Sequence, residues 1–249
     1  MAVTIDDLRR FAIARTLPQP TTLGAALRRF GFVQADPIRA PARAQDLMLR
    51  HRVAGYRAGD LERRYTTLGI EEDVFINYGF VTRSLQMLMH PRRVEAGWTR
   101  ARRRRAEELL AYVQEHGEVH PRQVNDHFAH GTVTNYWGGS SSATTHLLDG
   151  MHYAGLLRVA RREAGIRIYA AREASPGPAD PDARRARVDA LVDSLVSVYA
   201  PLPARSLSDV VSRLRYAAPQ WQRDLKPALA RARGRLAHAR VDGVDWFWP

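Results

Sequence analysis

The chain has 249 residues, a hydrophobic fraction of 45%, no cysteine and a formal net charge of +12. These values exclude wholesale disorder, disulfides, thiolate metal sites and cysteine nucleophiles. No apolar run reaches the ~18 residues a membrane helix needs, and no basic segment followed by an apolar core marks a secretory signal, so a cytoplasmic location is expected.

Residues 5–16 are predicted to form a helix, with Asp6 and Asp7 in its first turn and Leu8, Phe11, Ala12 and Arg15 at helical spacing. After the break at Leu17 to Pro20, Thr21 or Thr22 can cap a second helix that presents Leu23, Ala26, Leu27 and Phe30. Gly31 ends it. Phe32 to Pro37 is expected to be extended, because proline pushes the preceding residue away from helical geometry. Arg43 to His51 is predicted helical with Leu47 and Met48 inward, and residues 59–65 form another short helix. Residues 74–76 and 79–81 are expected as two strands joined by Asn77 and Tyr78.

A long basic helix is predicted over 92–116, carrying Arg100, Arg102, Arg103, Arg104 and Arg105. That face either meets solvent or contacts phosphate. Gly117 ends it. A short helix over 121–129 and a longer one from Ser140 to Tyr153 follow, then strands at 156–160 and 166–169 around Gly165. Ser175 to Pro181 is the clearest linker. Beyond it come helices near 182–199, 206–215 and 219–233 and a hairpin of 236–241 and 244–248 around Asp242-Gly243.

Two of these stretches repeat. Gly155 and Gly234, Leu157 and Leu236, and Ala160-Arg161 and Ala239-Arg240 are each 79 positions apart. Each copy runs three helices, a glycine and a two-stranded hairpin, the order of a winged helix-turn-helix. The expected fold is therefore mainly α with small β-hairpins (α+β), built of three tandem winged helix-turn-helix units at 1–95, 96–174 and 180–249, the first of them degenerate.

Lys226 is the sole lysine among 38 basic residues. A GC-rich genome explains arginine in place of lysine, but not the surplus of positive charge. Such a field draws polyanions, and nucleic acid is the leading partner over an acidic protein or a membrane surface. In a winged helix the third helix enters the major groove and the hairpin reaches neighbouring phosphate. In the middle unit this places Trp137, Ser140, Ser141, Ser142, Thr144 and Thr145 at the helix start, where hydroxyls and free amides can meet phosphate. Any single serine there can equally be a helix cap. The wing supplies Arg158, Arg161, Arg162 and Arg167. In the third unit Asp242 and Asp245 oppose phosphate, which points to a scaffold.

Val33-Gln34-Ala35-Asp36-Pro37-Ile38-Arg39, continuing through Arg43 and Leu47-Met48-Leu49 to Arg52, resembles the catalytic segment of the AlkZ/YcaQ-type (AlkX-like) winged-helix DNA glycosylases. Tyr136-Trp137-Gly138-Gly139 followed by Ser140 to Arg162 is similar to that family's second unit. The likeness extends in order and spacing over most of the chain. It implies excision of alkylated bases, possible unhooking of interstrand crosslinks, Gln34 and Asp36 as catalytic residues, and Arg39, Arg43 and Arg52 against DNA. Tyr78-Gly79-Phe80 stands where the family has a Trp-x-His pair, and Gln45-Asp46 replaces a pair of histidines. Ending at Pro249, the chain is expected to be a short form without the usual further C-terminal domain.

The residues suit that chemistry. Cleavage of an N-glycosidic bond passes through a sugar of oxocarbenium character, which a carboxylate and a held water stabilise. Asp36 can supply the charge and act as base toward water, and Gln34, two residues away on an extended strand, would share its face. An Asp before Pro is also a common turn residue. No lysine lies nearby for Schiff-base chemistry, and no cofactor or metal is expected. The expectation is a monofunctional DNA glycosylase, monomeric and nucleoid-associated, acting on damaged double-stranded DNA. The alternatives are a non-catalytic winged-helix DNA-binding protein, such as a regulator, and a protein scaffold.

Overall fold

The computed structural model describes residues 2–36, 38, 40–94, 97–134 and 138–249. In its first third, helix α1 (Ile5–Thr16) starts at a capping box in which the Thr4 hydroxyl and the Asp7 carboxylate exchange hydrogen bonds with each other's backbone N–H groups. Helix α2 (Leu23–Phe30) is capped by Thr22 and buries Leu23, Ala26, Leu27 and Phe30, the predicted stripe. Strand β1 (Phe32–Gln34), helices α3 (Ala44–Arg50) and α4 (Asp60–Arg63), strands β2 (Ile70–Val74) and β3 (Tyr78–Thr82) and helix α5 (Arg83–Met89) follow. The three strands form an antiparallel sheet in the order β1-β3-β2.

Two expectations are corrected here. The hairpin's first strand is β2, which starts four residues before the predicted Val74, and Phe75 to Asn77 form the turn. Phe75 and Ile76 are apolar because the turn packs into a core shared with the last third of the chain. Helix α3 turns Gln45, Asp46 and Leu49 inward and leaves Leu47 40% exposed, so its buried side is partly polar.

The middle third has helix α6 (Arg100–His116), strand β4 (Glu118–Val119), helix α7 (Pro121–Phe128), strands β5 (Thr132–Thr134) and β6 (Ser140–Ser142), helix α8 (Ala143–Ala154) and strands β7 (Leu157–Glu163) and β8 (Ile166–Ala171). Helix α6 starts at Arg100, not at residue 92, because Thr99 caps it and Arg92 is buried against Asp73. The last third repeats the order with helix α9 (Pro181–Tyr199), strand β9 (Leu202–Pro203), helix α10 (Ala204–Ala217), a 3-10 turn (Pro219–Asp224), helix α11 (Leu225–Arg235) and strands β10 (Ala237–Val241) and β11 (Val244–Trp248). The sheets are equivalent, β4-β8-β7 and β9-β11-β10, each with the final strand central. The paired glycines are not equivalent: Gly155 is left-handed (φ 83°) and ends α8, whereas Gly234 lies within α11.

Three buried clusters hold these parts together. One surrounds Leu27, Leu49 and Phe80, and another lies between α6, α8 and the middle sheet. The largest joins Phe32, Val81, Leu85 and Met89 of the first third to Leu191, Leu195, Leu214 and Trp221 of the last. Phe11 also meets Trp248, with ring centres 6.4 Å apart. The first and last thirds are therefore one packed body, and Tyr65 joins the middle third to it by donating its hydroxyl to the Val159 carbonyl (3.0 Å).

Candidate active site

Strand β1 carries the predicted carboxylate to the edge of the first sheet. Gly79 lies opposite Gln34, and a side chain at position 79 would collide with the Val33 carbonyl and the Phe32 ring, so the two strands can approach this closely only with glycine. The ladder ends where Ala35 N–H donates to the Tyr78 carbonyl (3.0 Å). Asp36 then turns the chain: its N–H donates to Gln45 Oε1 (3.2 Å), and its Oδ1 accepts from Ile38 N–H (2.8 Å). The turn expected of this Asp is thus formed.

Asp36 is half-buried and faces a cleft of about 350 Å³. Arg43 and Gln45 of the α3 segment and Tyr78 of β3 form one side, and Arg162, Gly165, Ile166 and Arg167 of the β7–β8 hairpin form the other. Gln34 is exposed and does not line the cleft. The expected alternation fails because β1 ends at Gln34 and the turn at Asp36 redirects the chain. Gln34 Oε1 accepts from Asn77 Nδ2 at 3.4 Å.

The cleft's arginines are each paired. Arg43 bonds Glu62, which also accepts from Gln45 Nε2 (3.3 Å), so one carboxylate holds both the arginine and the amide that fixes Asp36. Arg162 forks onto Glu72, Nε to Oε1 and Nη2 to Oε2, both 2.7 Å. Tyr78 donates to the same Oε2 at 2.6 Å. Burial alone would lower the Arg162 guanidinium, but the bonds and charge of Glu72 raise it. Burial pushes the Tyr78 phenol far up, and the Glu72 charge adds to this, so it remains a hydrogen-bond donor. Arg167 lies over the Tyr78 ring (5.3 Å) and pairs with Asp149 at 3.1 Å. The arrangement is an acid at the edge of an arginine-lined opening, facing donors held by their own partners.

The family model for the AlkZ-like DNA glycosylases matches residues 27–249. The chain belongs to the AlkZ-like DNA glycosylase family. The structure of the Streptomyces sahachiroi DNA glycosylase AlkZ has a similar fold, with a TM-score of 0.62 and 14% sequence identity over 100% of this chain and 70% of that one. No curated protein sequence matches. As an AlkZ-like glycosylase, the chain is a hydrolase of N-glycosyl bonds with DNA as its partner, in place of the regulator and scaffold readings.

The other predicted contacts of this AlkZ-like glycosylase are placed unevenly. Pro37, Arg39, Tyr136 and Trp137 lie outside the described residues. Ser140 to Ser142 do not open a helix. They pair with Thr132 to Thr134, and α8 begins after them. Ser140 and Thr145 are exposed and Ser141 is half-buried. Ser142 is the cap, accepting from Thr145 N–H (3.2 Å) and donating to Asn125 (2.8 Å). Thr144 is 0% exposed and cannot reach a phosphate from there. Arg52 is spent internally, donating to the Thr16 carbonyl (2.6 Å) and the Met48 carbonyl (2.5 Å). Arg161 pairs with Glu118 (2.9 Å) and Glu163 (3.0 Å). Arg158 is half-buried near Glu71.

Sequence reasoning missed the acids of β2. Glu71, Glu72 and Asp73 are 7%, 0% and 1% exposed, where three consecutive acids suggest a solvated turn. The available signal was their position between apolar residues in an arginine-rich chain. Among the described residues, no group of His, Asp and Glu could hold a metal ion, and no helix is long and apolar enough to cross a membrane.

Proposed function

We propose that this glycosylase hydrolyses the N-glycosidic bond of cationic, alkylated purines in damaged duplex DNA, and that the reading extends to purines tethered in interstrand crosslinks. The carrying observation is the half-buried Asp36 carboxylate, held by its own turn at the mouth of an arginine-walled cleft. One carboxylate oxygen accepts the Ile38 N–H. Among the described residues the other accepts no hydrogen bond. In this mechanism Asp36 stabilises the positive sugar as the bond breaks and takes a proton from the attacking water. The bonding electrons leave with the base, which departs neutral because it began as a cation, so no general acid is required. Gln34, exposed on the adjoining strand outside the cleft, would hold the deoxyribose of DNA lying across the opening.

The repeated helix–strand–helix–helix–hairpin order of the middle and last thirds supports the reading of winged-helix units that meet the duplex, here taken to act as a monomer. Incubation with methylated duplex DNA, followed by chromatography of the freed bases, tests the reading. Release of 7-methylguanine is expected, and no freed base from any alkylated duplex would refute it.

A further inference from the structure

Glu72 is the most deeply buried acid beside the cleft, with its side chain 0% exposed. Its two oxygens take three charged or polar donors: both arms of Arg162 and the hydroxyl of Tyr78. The backbone at the same residue is also fixed. Glu72 N–H donates to Tyr65 Oη (3.0 Å), and its carbonyl accepts from the His152 ring at 3.0 Å. Arg162 Nη1 donates to the Gly165 carbonyl of its own hairpin (3.0 Å). These bonds use three of the five guanidinium N–H groups and leave one on each terminal nitrogen. Arg162 and Tyr78 both line the cleft that Asp36 faces, and they come from different thirds of the chain. A bidentate carboxylate fixes the plane of a guanidinium as well as its position.

We propose that Glu72 is a positioning residue: it presents the two remaining N–H groups of Arg162 to the backbone phosphate flanking the target nucleotide, and so sets that nucleotide's depth against Asp36. The inference rests on the proposed reading of the cleft. A neutral, pre-aimed pair differs from a free arginine in a measurable way. Paired with Glu72, Arg162 adds little to long-range attraction for DNA, but it orients whatever has entered. Removing the carboxylate's charge frees the arginine's. General affinity for DNA should then rise while turnover falls, whereas loss of a merely structural bond would lower both.

The test uses the full chain with a fluorescent undamaged duplex for binding and a methylated duplex for base release. Glu72→Gln keeps the shape and one acceptor. It is expected to slow single-turnover release by about tenfold or more, because small misplacements of reacting groups cost that much. The same variant should bind undamaged duplex more tightly, with a salt slope steeper by about 0.9. Tyr78→Phe, which keeps the ion pair, should slow release with the salt slope unchanged, and it serves if Glu72→Gln fails to fold. Wild-type release by either folded variant, or weaker binding by folded Glu72→Gln, overturns the proposal. Asp36→Asn is run alongside. If it releases base normally, the cleft reading and this inference fall together. If it is inactive while Glu72→Gln and Tyr78→Phe match the wild type, only the inference falls.

Discussion

Arg92 and Asp73 form an ion pair of 2.6 Å between side chains that are 0% and 1% exposed. The same guanidinium donates to the carbonyls of Ala217 (2.6 Å), Tyr153 (3.0 Å) and Val74 (2.6 Å), at the ends of α10, α8 and β2. His90 Nε2 meets the other Asp73 oxygen at 2.8 Å. Burial works to raise the Asp73 carboxyl, but Arg92 and the His90 hydrogen bond outweigh it and hold it well below the carboxylate range. Burial lowers the His90 ring, and the Asp73 hydrogen bond and charge oppose that shift. One cation thus gathers all three thirds of the chain onto the sheet that carries Asp36.

Arg92→Met should therefore destabilise the protein by about 3–5 kcal/mol, because it leaves a buried carboxylate unpaired. Denaturant unfolding at neutral pH measures this. Adding Asp73→Asn should recover part of the loss, and a single-variant loss below about 1 kcal/mol would contradict the central role of the pair.

Burial pushes the fully enclosed His152 ring down to about 4. Its unfolded value is near 6.5, so between those two pH values the unfolded chain binds the extra proton. Stability contributed by the neutral ring is complete above about pH 6.5 and is lost as pH falls toward 4, by about 3 kcal/mol in all. A melting temperature that falls over this window in the wild type, and falls less in His152→Gln, is the expected result. Equal slopes in the two proteins would assign the acid loss elsewhere.

Gly79→Ala should force β1 from β3, since the new methyl meets the Val33 carbonyl and the Phe32 ring. Overpacking of this kind costs about 1–3 kcal/mol. Because Asp36 lies two residues beyond β1, base release should drop by more than the loss of folded protein accounts for. Comparison of specific activity with the folded fraction decides the point.

Asp36→Asn should slow base release by about 10²–10⁴-fold, the range of a lost catalytic base, while duplex affinity stays within about threefold. Near-normal release would move the chemistry away from this cleft.

Arg100, Arg103 and Arg105 are exposed on α6 and form no ion pair among the described residues, unlike Arg104, which pairs with Glu108 at 2.9 Å. Replacing the three by serine should reduce the salt slope of duplex binding by about 2–3 if each meets a phosphate. An unchanged slope would mark this face as solvated.

The local rules visible in the sequence determined much of the molecule. Thr22 caps one helix, Asp6 and Asp7 lie in the first turn of another, Asp242-Gly243 turns the final hairpin, and Leu23 to Phe30 show their buried stripe, because each depends on neighbours within a turn or two. The segment around Asp36 was legible for the same reason, and its order matched a known family. Tertiary structure alone decided where charge goes. Arg43, Arg52 and Arg162 look like free phosphate ligands in a basic chain, yet each is held by a partner 19 or more positions away, which fixes where any remaining N–H group points. Conversely, Glu71, Glu72 and Asp73, a run of acids with no local sign of a partner, are buried. Sequence spacing carries no information about which distant arginine will reach a carboxylate, because an ion pair can survive inside a protein only where folding brings its partner to within hydrogen-bond distance.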